Sequence, residues 1–476
     1  MRKKLQFLFV VFCFICCNLS AVARDFPSEM DRVMDHFTKL ELFSGVVLVA
    51  QEGKVLYAKA FGEANKDFHI PNTLHTRFEL ASISKLFTGI AVIQLVEKGK
   101  IGLDDPVQKH LPDFPFGDKI TILHLLTHTS GLPDWTSHPR FRSIWTQVKT
   151  IDQMKSLVFD QKLKHESPGE KFEYSSAGFI LLGAILERIY GKSFAAVIKD
   201  TILDPLGMTE TTIANPENVV ENRATGYVKS STGRFSTNVY WLLPYVASAG
   251  IQSTAGDMLK LDQALYGDKL LSQETQGKMY KPFIGKDWGI LWRLWEVHGN
   301  RIAWHGGETT GVSAMFRRYL EDKYTLIILS NYHRAGRPLT SVVEPLLFGD
   351  EYELPKPTLR EYLFRNMTEK GIKNTLRNFD NLIKKEGYTV DSQDNLNGFG
   401  YELMREERMD MALGIFRLNC RLFPDEANTY DSLAEAFLKI GDLESALINY
   451  EKALELDPKL DSAKIGIKRI NILLKK

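Results

Sequence analysis

Cysteine is scarce in this chain. Of 4 cysteines, Cys13, Cys16 and Cys17 crowd near the start, and only Cys420 lies beyond them. A mature chain left with one thiol has no internal disulfide, so its stability must come from a large core. Charge of one sign is missing too: 60 Lys and Arg balance 59 Asp and Glu, for a net charge of +1. That excludes the basic footprint of a nucleic-acid surface and a polybasic membrane patch. Beyond the first residues, no segment is apolar and uncharged for long enough to span a bilayer. Two hydrolase signatures are absent as well. No G-x-S-x-G occurs; Gly311-Val312-Ser313 runs into Ala314-Met315. His124 and His128 have the i, i+4 spacing of a shared metal site, but Leu125 stands where a zinc peptidase needs glutamate. No metal or other cofactor is expected. Asp104 and Asp105 precede Pro106 and read as a turn, not as a catalytic carboxylate pair.

What is present begins with an export signal. Arg2, Lys3 and Lys4 precede an apolar stretch at 5–17, and Ala21-Val22-Ala23 offers a small-residue cleavage site. Residues 1–23 therefore read as a signal peptide, with the product periplasmic or secreted and without a transmembrane segment. Ile15 and Cys16 are not the small residues that a lipoprotein site prefers, so lipid anchoring is not expected. The composition, 44% hydrophobic and 25% charged over 476 residues, suits two or three globular domains.

The β-branched run FSGVVLVA at 43–50, the turn glycine Gly53 and KVLYAKAF at 54–61 predict a β-hairpin. Residues 82–98 carry Leu86, Ile90, Ile93 and other apolar residues at helical spacing. The middle, 120–270, is mostly helical pattern broken by Gly and Pro. Strands return at 311–318 and 324–330 around a charged turn at Asp322. The expected fold is α+β: an antiparallel sheet built from both ends of one domain, 24–352, flanked by helices and carrying a helical lobe.

Pro355 and Pro357 stiffen a linker at 353–358. Everything beyond, 359–476, reads as all-α. There Gly400 recurs as Ala434, Leu403 as Phe437, Ala412 as Ala446, Phe416 as Tyr450 and Pro424 as Pro458. This spacing resembles the tetratricopeptide repeat, with copies at about 393–426 and 427–460. A third copy upstream fails at Asn378, where a small residue is wanted. Two such repeats bury little alone, and their surface could engage a protein partner.

The stretch FELASISKLFTG offers two serines beside one lysine. On a helix, residues three apart are neighbours and adjacent ones diverge, so Lys85 can meet Ser82 but not Ser84. Near a helix start, Ser82 would have free backbone N–H groups and a favourable dipole for an oxyanion. A lysine half-buried against an apolar helix can take the serine proton through a neutral amine. The same spacing equally suits an N-cap serine and a solvated surface lysine, and the motif alone does not decide.

Wider context does. FELASISKLFTG, ITILHLLTHTSGLPDW (120–135), PGEKFEYSSAGFILLGAILE (168–187), DPLGMTET (204–211) and HGGETTGVSAMF (305–316) follow one another in order. Together they resemble the serine β-lactamase and penicillin-binding-protein superfamily, nearest its class C β-lactamase-like branch of esterases and D-Ala-D-Ala peptidases. The resemblance runs over residues 40–335. It implies that Ser82 is the acylated nucleophile, Lys85 its base partner, and Tyr174 the phenol that moves a proton to the leaving group. It also implies that His305-Gly306-Gly307 forms the site-lining edge strand, with the Glu308 and Ser82 N–H groups as oxyanion hole.

Two positions depart from the family pattern. Ser176 stands where asparagine is usual, which weakens a contact to a substrate amide. His305 replaces the usual lysine, so a substrate carboxylate loses a firm cationic partner. Both favour ester, amide or peptide hydrolysis over efficient penicillin destruction. The substrate would be a small ester, a peptide or a cell-wall fragment. The alternative is a ligand-binding protein of weakened catalysis, whose tail mediates protein contact.

Overall fold

A computed structural model describes residues 25–141, 150–213, 218–238, 246–285 and 287–475. The expected signal peptide lies outside the described residues. The chain divides into two units: residues 1–228 with 237–355, and residues 229–236 with 356–476.

In the first unit, helix α1 (Phe26–Lys39) precedes strands β1 (Gly45–Gln51) and β2 (Lys54–Phe61). Glu52 and Gly53 form the two-residue turn between them with φ of +50° and +79°. Such left-handed geometry matches the twist of a tight hairpin and suits glycine. Much later come β3 (Arg293–Val297), β4 (Asn300–Thr309), β5 (Val312–Tyr319) and β6 (Tyr324–Ser330). The six form one antiparallel sheet in the order β3-β4-β5-β6-β1-β2. The sheet closes where Gly45 pairs with Ser330 and Val49 with Leu326, so the two ends of the unit meet at its centre.

Helix α2 (Ser84–Glu97) is apolar nearly all round and buried from Ser84 to Leu95. A helix without a polar face belongs at the centre of a core. It packs against α3 (Ala177–Tyr190), which is buried from Ala177 to Leu186 and stops at Gly191 in the left-handed conformation. The sequence predicts a helix from residue 82. The α-helix instead starts at Ser84, after a 3₁₀ turn at Ala81–Ile83. Ala81 has φ of +46°, which no α-helix accommodates. Helix α4 (Gly336–Phe348) completes this unit.

The second unit is helical. It begins with α5 (Leu359–Lys370), started by a capping box in which Thr358 and Glu361 bond each other's backbone N–H. Two shorter helices follow, and then α6 (Gln393–Arg405), α7 (Met409–Leu422), α8 (Ala427–Ile440), α9 (Leu443–Leu456) and α10 (Asp461–Leu473). The positions that recur every 34 residues face inward: Ala412, Phe416, Ala446 and Tyr450 are all buried. The segment 229–236 joins this unit. Its Ser231 N–H and hydroxyl donate to the Glu402 carboxylate at 2.6 and 2.9 Å. Cys420 is a buried free thiol. Among the described residues no helix is long and apolar enough to cross a membrane.

Candidate active site

Ser82 lies half-buried in the turn that precedes α2, and Lys85 lies one turn later with 1% of its surface exposed. The Lys85 amine donates to Ser82 Oγ at 3.0 Å and to the Ser248 carbonyl at 3.1 Å. Its remaining surroundings are ring faces: the Tyr174 and Phe179 centroids lie 5.2 and 5.8 Å from Nζ. Ser84, the other candidate, points elsewhere. It is fully buried, and its Oγ accepts the Ile251 N–H at 3.2 Å, a structural tie.

Glycine lets the strand approach the Ser82 turn. The turn at Ala81–Ile83 packs against β4. A Cβ added to Gly307 would fall 1.9 Å from the Leu80 carbonyl oxygen and 3.4 Å from Ala81 Cβ, so no other residue fits there. Strand β3 pairs with β4 only as far as Arg293 opposite Trp304. From His305 onward β4 keeps β5 as its partner, Gly307 opposite Ala314 and Glu308 opposite Ser313. His305 through Glu308 thus form an edge beside the Ser82 turn.

The two histidines nearest Lys85 are held neutral. Burial, reinforced by the Lys85 charge, pushes His305 down to about 3, against the pull of the Gly306 carbonyl that its Nδ1 contacts at 2.8 Å. Burial, again reinforced by the Lys85 charge, pushes His128 well below its ordinary value. The His128 ring stacks on Tyr174 at 4.3 Å between centroids, and its Nδ1 meets the Ser175 backbone. His124 serves a separate purpose, closing a capping box with Thr121.

Tyr174 is brought beside Lys85 by its ring, not its hydroxyl. The side chain is 38% exposed, and its OH makes no hydrogen bond among the described residues. Ser176 faces Asp134, whose Oδ2 accepts the Ser176 N–H at 2.8 Å. Burial works to raise the Asp134 pKa, but the Thr136 and Ser176 amides outweigh it and hold the carboxylate below its ordinary range. The Glu308 carboxylate is occupied, accepting from Ser313 Oγ at 2.9 Å and the Arg334 N–H at 2.7 Å.

Several site residues escape sequence reasoning. Asp134 lies within the quoted segment LPDW and bears the mark of a cap, since it accepts the Thr136 N–H. Ser248 contributes only a backbone carbonyl, which no side-chain pattern reveals. A cavity of about 310 Å³ opens beside Tyr174, His305 and Gly307, walled by Phe172, Trp288 and Trp304 and reached by Arg337. Nothing in local spacing gathers these four.

A family profile described as Beta-lactamase matches residues 30–340. Penicillin-binding protein 4* of Bacillus subtilis (strain 168) is 35% identical over 342 residues, covering 66% of this chain and 74% of its own. The crystal structure of a penicillin binding protein from Bacillus halodurans is similar at 29% identity and a TM-score of 0.60, covering 67% of this chain and 97% of that one. The octameric penicillin-binding protein homologue from Pyrococcus abyssi gives 27% identity and a TM-score of 0.62, covering 72% and 81%.

Proposed function

The chain belongs to the β-lactamase family, and on that premise we propose that it is an exported serine hydrolase acting through an acyl-enzyme on Ser82. The Beta-lactamase profile match over residues 30–340 supports hydrolase chemistry. The observation that carries the assignment to Ser82 is its 3.0 Å contact with the buried Lys85 amine. Ser82 Oγ attacks an ester, amide or peptide carbonyl while Lys85 accepts its proton. The Ser82 and Glu308 N–H groups receive the oxyanion, and Tyr174 passes a proton to the leaving atom. Water then enters and the steps run in reverse order. A neutral His305 in place of the usual lysine favours esters and peptides over penicillins. The product of export would be periplasmic or secreted, and the 34-residue repeats of the tail would offer a surface to a protein partner.

One observation favours a second reading, a ligand-binding protein of weakened catalysis: the Tyr174 hydroxyl is not hydrogen-bonded to Ser82 or Lys85. One experiment separates the two. The mature protein and its Ser82→Ala variant are treated with a fluorophosphonate, phenyl acetate and a chromogenic cephalosporin. Hydrolysis predicts a fluorophosphonate adduct on Ser82, ester turnover lost in Ser82→Ala, and slow or absent cephalosporin turnover. Ester turnover that survives Ser82→Ala sinks the enzyme reading; an inert wild-type protein favours binding.

A further inference from the structure

We propose that His128 is a positioning residue for Tyr174: it grips the chain on both sides of the phenol and the ring itself, and so aims the hydroxyl during acyl transfer. This rests on the hydrolase reading above and adds a residue that acts only through Tyr174. The grip has three points. The His128 carbonyl accepts the Glu173 N–H at 2.8 Å, just before the tyrosine. Its Nδ1 meets the Ser175 peptide just after it, 3.0 Å from the carbonyl oxygen and 3.2 Å from the amide nitrogen. Its ring stacks on the Tyr174 ring between them, with centroids 4.3 Å apart and planes 26° from parallel. Thr129 extends the tie, its carbonyl accepting the Gly169 N–H at 2.8 Å. Phe172, Phe179 and Trp288 brace the imidazole, with centroids 6.1, 5.3 and 5.2 Å away. Tyr174 needs such a hold. It is 38% exposed, and its hydroxyl has no hydrogen bond among the described residues, so ring contacts alone fix its direction.

Two costs mark His128 as more than core filler. Its backbone is left-handed, with φ of +56°, where a side-chain-bearing residue is strained. Its Nε2 is buried with no hydrogen-bond partner among the described residues. A phenylalanine of similar size would not carry that second penalty. Strain and unmet polarity gathered at one residue beside the reacting groups point to a role in the chemistry. The charged and titratable groups that face the imidazole are Lys85, His305 and Tyr174. Burial and the Lys85 charge keep it neutral, so the grip adds no second cation beside the amine that takes the serine proton.

The step served is a balanced acyl transfer. Ser82 Oγ bonds to the acyl carbon and gives its proton to Lys85. The bond to the leaving oxygen or nitrogen breaks, Tyr174 gives that atom its phenol proton, and Lys85 returns a proton to Tyr174. Water then splits the Ser82 ester. Only the transfer from Tyr174 depends on where the phenol points, so a loosened phenol harms poor leaving groups most.

The test compares two esters of one acid, ethyl butyrate and p-nitrophenyl butyrate. Both give butyryl-Ser82, and kcat/KM reports the steps up to its formation. Ethoxide must take a proton to leave, whereas p-nitrophenolate departs without one. A misaimed Tyr174 therefore lowers the first and spares the second. Damage to the fold lowers both alike, and their ratio does not depend on how much of the sample is folded. His128→Asn tolerates the left-handed backbone but removes the stacked ring, and should lower the ethyl-to-nitrophenyl ratio about 10²-fold. His128→Phe keeps a ring but loses Nδ1, and should lower it about tenfold. In a Tyr174→Phe background, where the hydroxyl is already gone, neither should lower it further. An unchanged ratio in His128→Asn overturns the inference, as does a further drop in the Tyr174→Phe background. Phenyl acetate turnover in wild type against Ser82→Ala judges the hydrolase reading separately. If that reading fails, hydrogen exchange at the Ser175 amide still decides. Faster exchange in His128→Phe than in wild type upholds the grip, and equal exchange overturns it.

Discussion

Among the described residues of the first unit, two buried cations, Lys85 and Arg318, live differently. Arg318 is 0% exposed and fully engaged. Its Nε donates to Asp262 at 2.6 Å, a second nitrogen to the Asp262 carbonyl at 3.2 Å, and a third to the Tyr280 hydroxyl. Its guanidinium lies 4.4 Å from the centroid of the Tyr266 ring. The other Asp262 oxygen accepts from Thr325 at 2.7 Å. Lys85 is almost as buried, yet its hydrogen-bond partners are a hydroxyl and a carbonyl, both neutral. No carboxylate competes with Ser82 for its amine among the described residues. The contrast teaches how to tell a structural charge from a chemical one. A cation that serves the fold has an anion of its own, whereas a cation that serves a reaction is left facing the group it must act on.

The sharpest way to break this contrast is to remove each charge in turn. Asp262→Asn should cost about 3–5 kcal/mol of stability, since it strands Arg318, with ester turnover per folded molecule retained. Lys85→Met should lower turnover by about 10²–10⁴-fold with little loss of stability. Thermal unfolding and ester assays on both variants check this; equal effects on stability would erase the distinction. Acid sharpens it next. The folded protein takes a proton on His305 only near about 3, while the unfolded chain takes it near 6.5. Stability is therefore full above 6.5 and drains as pH falls toward 3. The slope contributed by each such histidine is up to about 1.4 kcal/mol per pH unit. Urea titrations between these limits should show a shallower fall in His305→Asn.

Smaller effects follow. Gly307→Ala drives a methyl into the Leu80 carbonyl beside Ser82 and should cost about 1–3 kcal/mol and most ester turnover, leaving the Arg318 site intact. Ser84→Ala removes the acceptor of the Ile251 N–H and should cost about 1–2 kcal/mol, with fluorophosphonate still bound at Ser82. Loss of labelling there would move the nucleophile to the wrong serine.

Local physics explains which of these features sequence reasoning reaches. The Ser82–Lys85 pair is visible because one helical turn is three to four residues. The hairpin and the closing strands are visible because β-branched runs and a turn glycine signal themselves. Arg318 and Asp262 stand 56 residues apart, and no periodicity links them. The aromatic slot is equally silent: Phe172, Trp288 and Trp304 come from separate segments, and Arg337 reads as an ordinary surface charge. The sequence resemblance names Tyr174 as a proton carrier but says nothing of which part of it meets Lys85. In the tail, the 34-residue echo surfaces because small and aromatic residues interlock there. A Cβ on Gly400 would fall 2.4 Å from the Phe416 ring. Among the helices at Leu359–Lys370, Ile372–Arg377 and Phe379–Glu386 no 34-residue repeat is legible.

The left-handed backbone at Ala81 bears on how this protein could be hardened. An alanine in that conformation stores about 1–2 kcal/mol that a glycine would release. Yet the same kink keeps the next residue, Ser82, out of the α-helix, in the turn that packs against β4. Relaxing it would trade aim for durability, so a search for heat-resistant variants should find its gains in the helical hairpins of the second unit and leave this residue untouched.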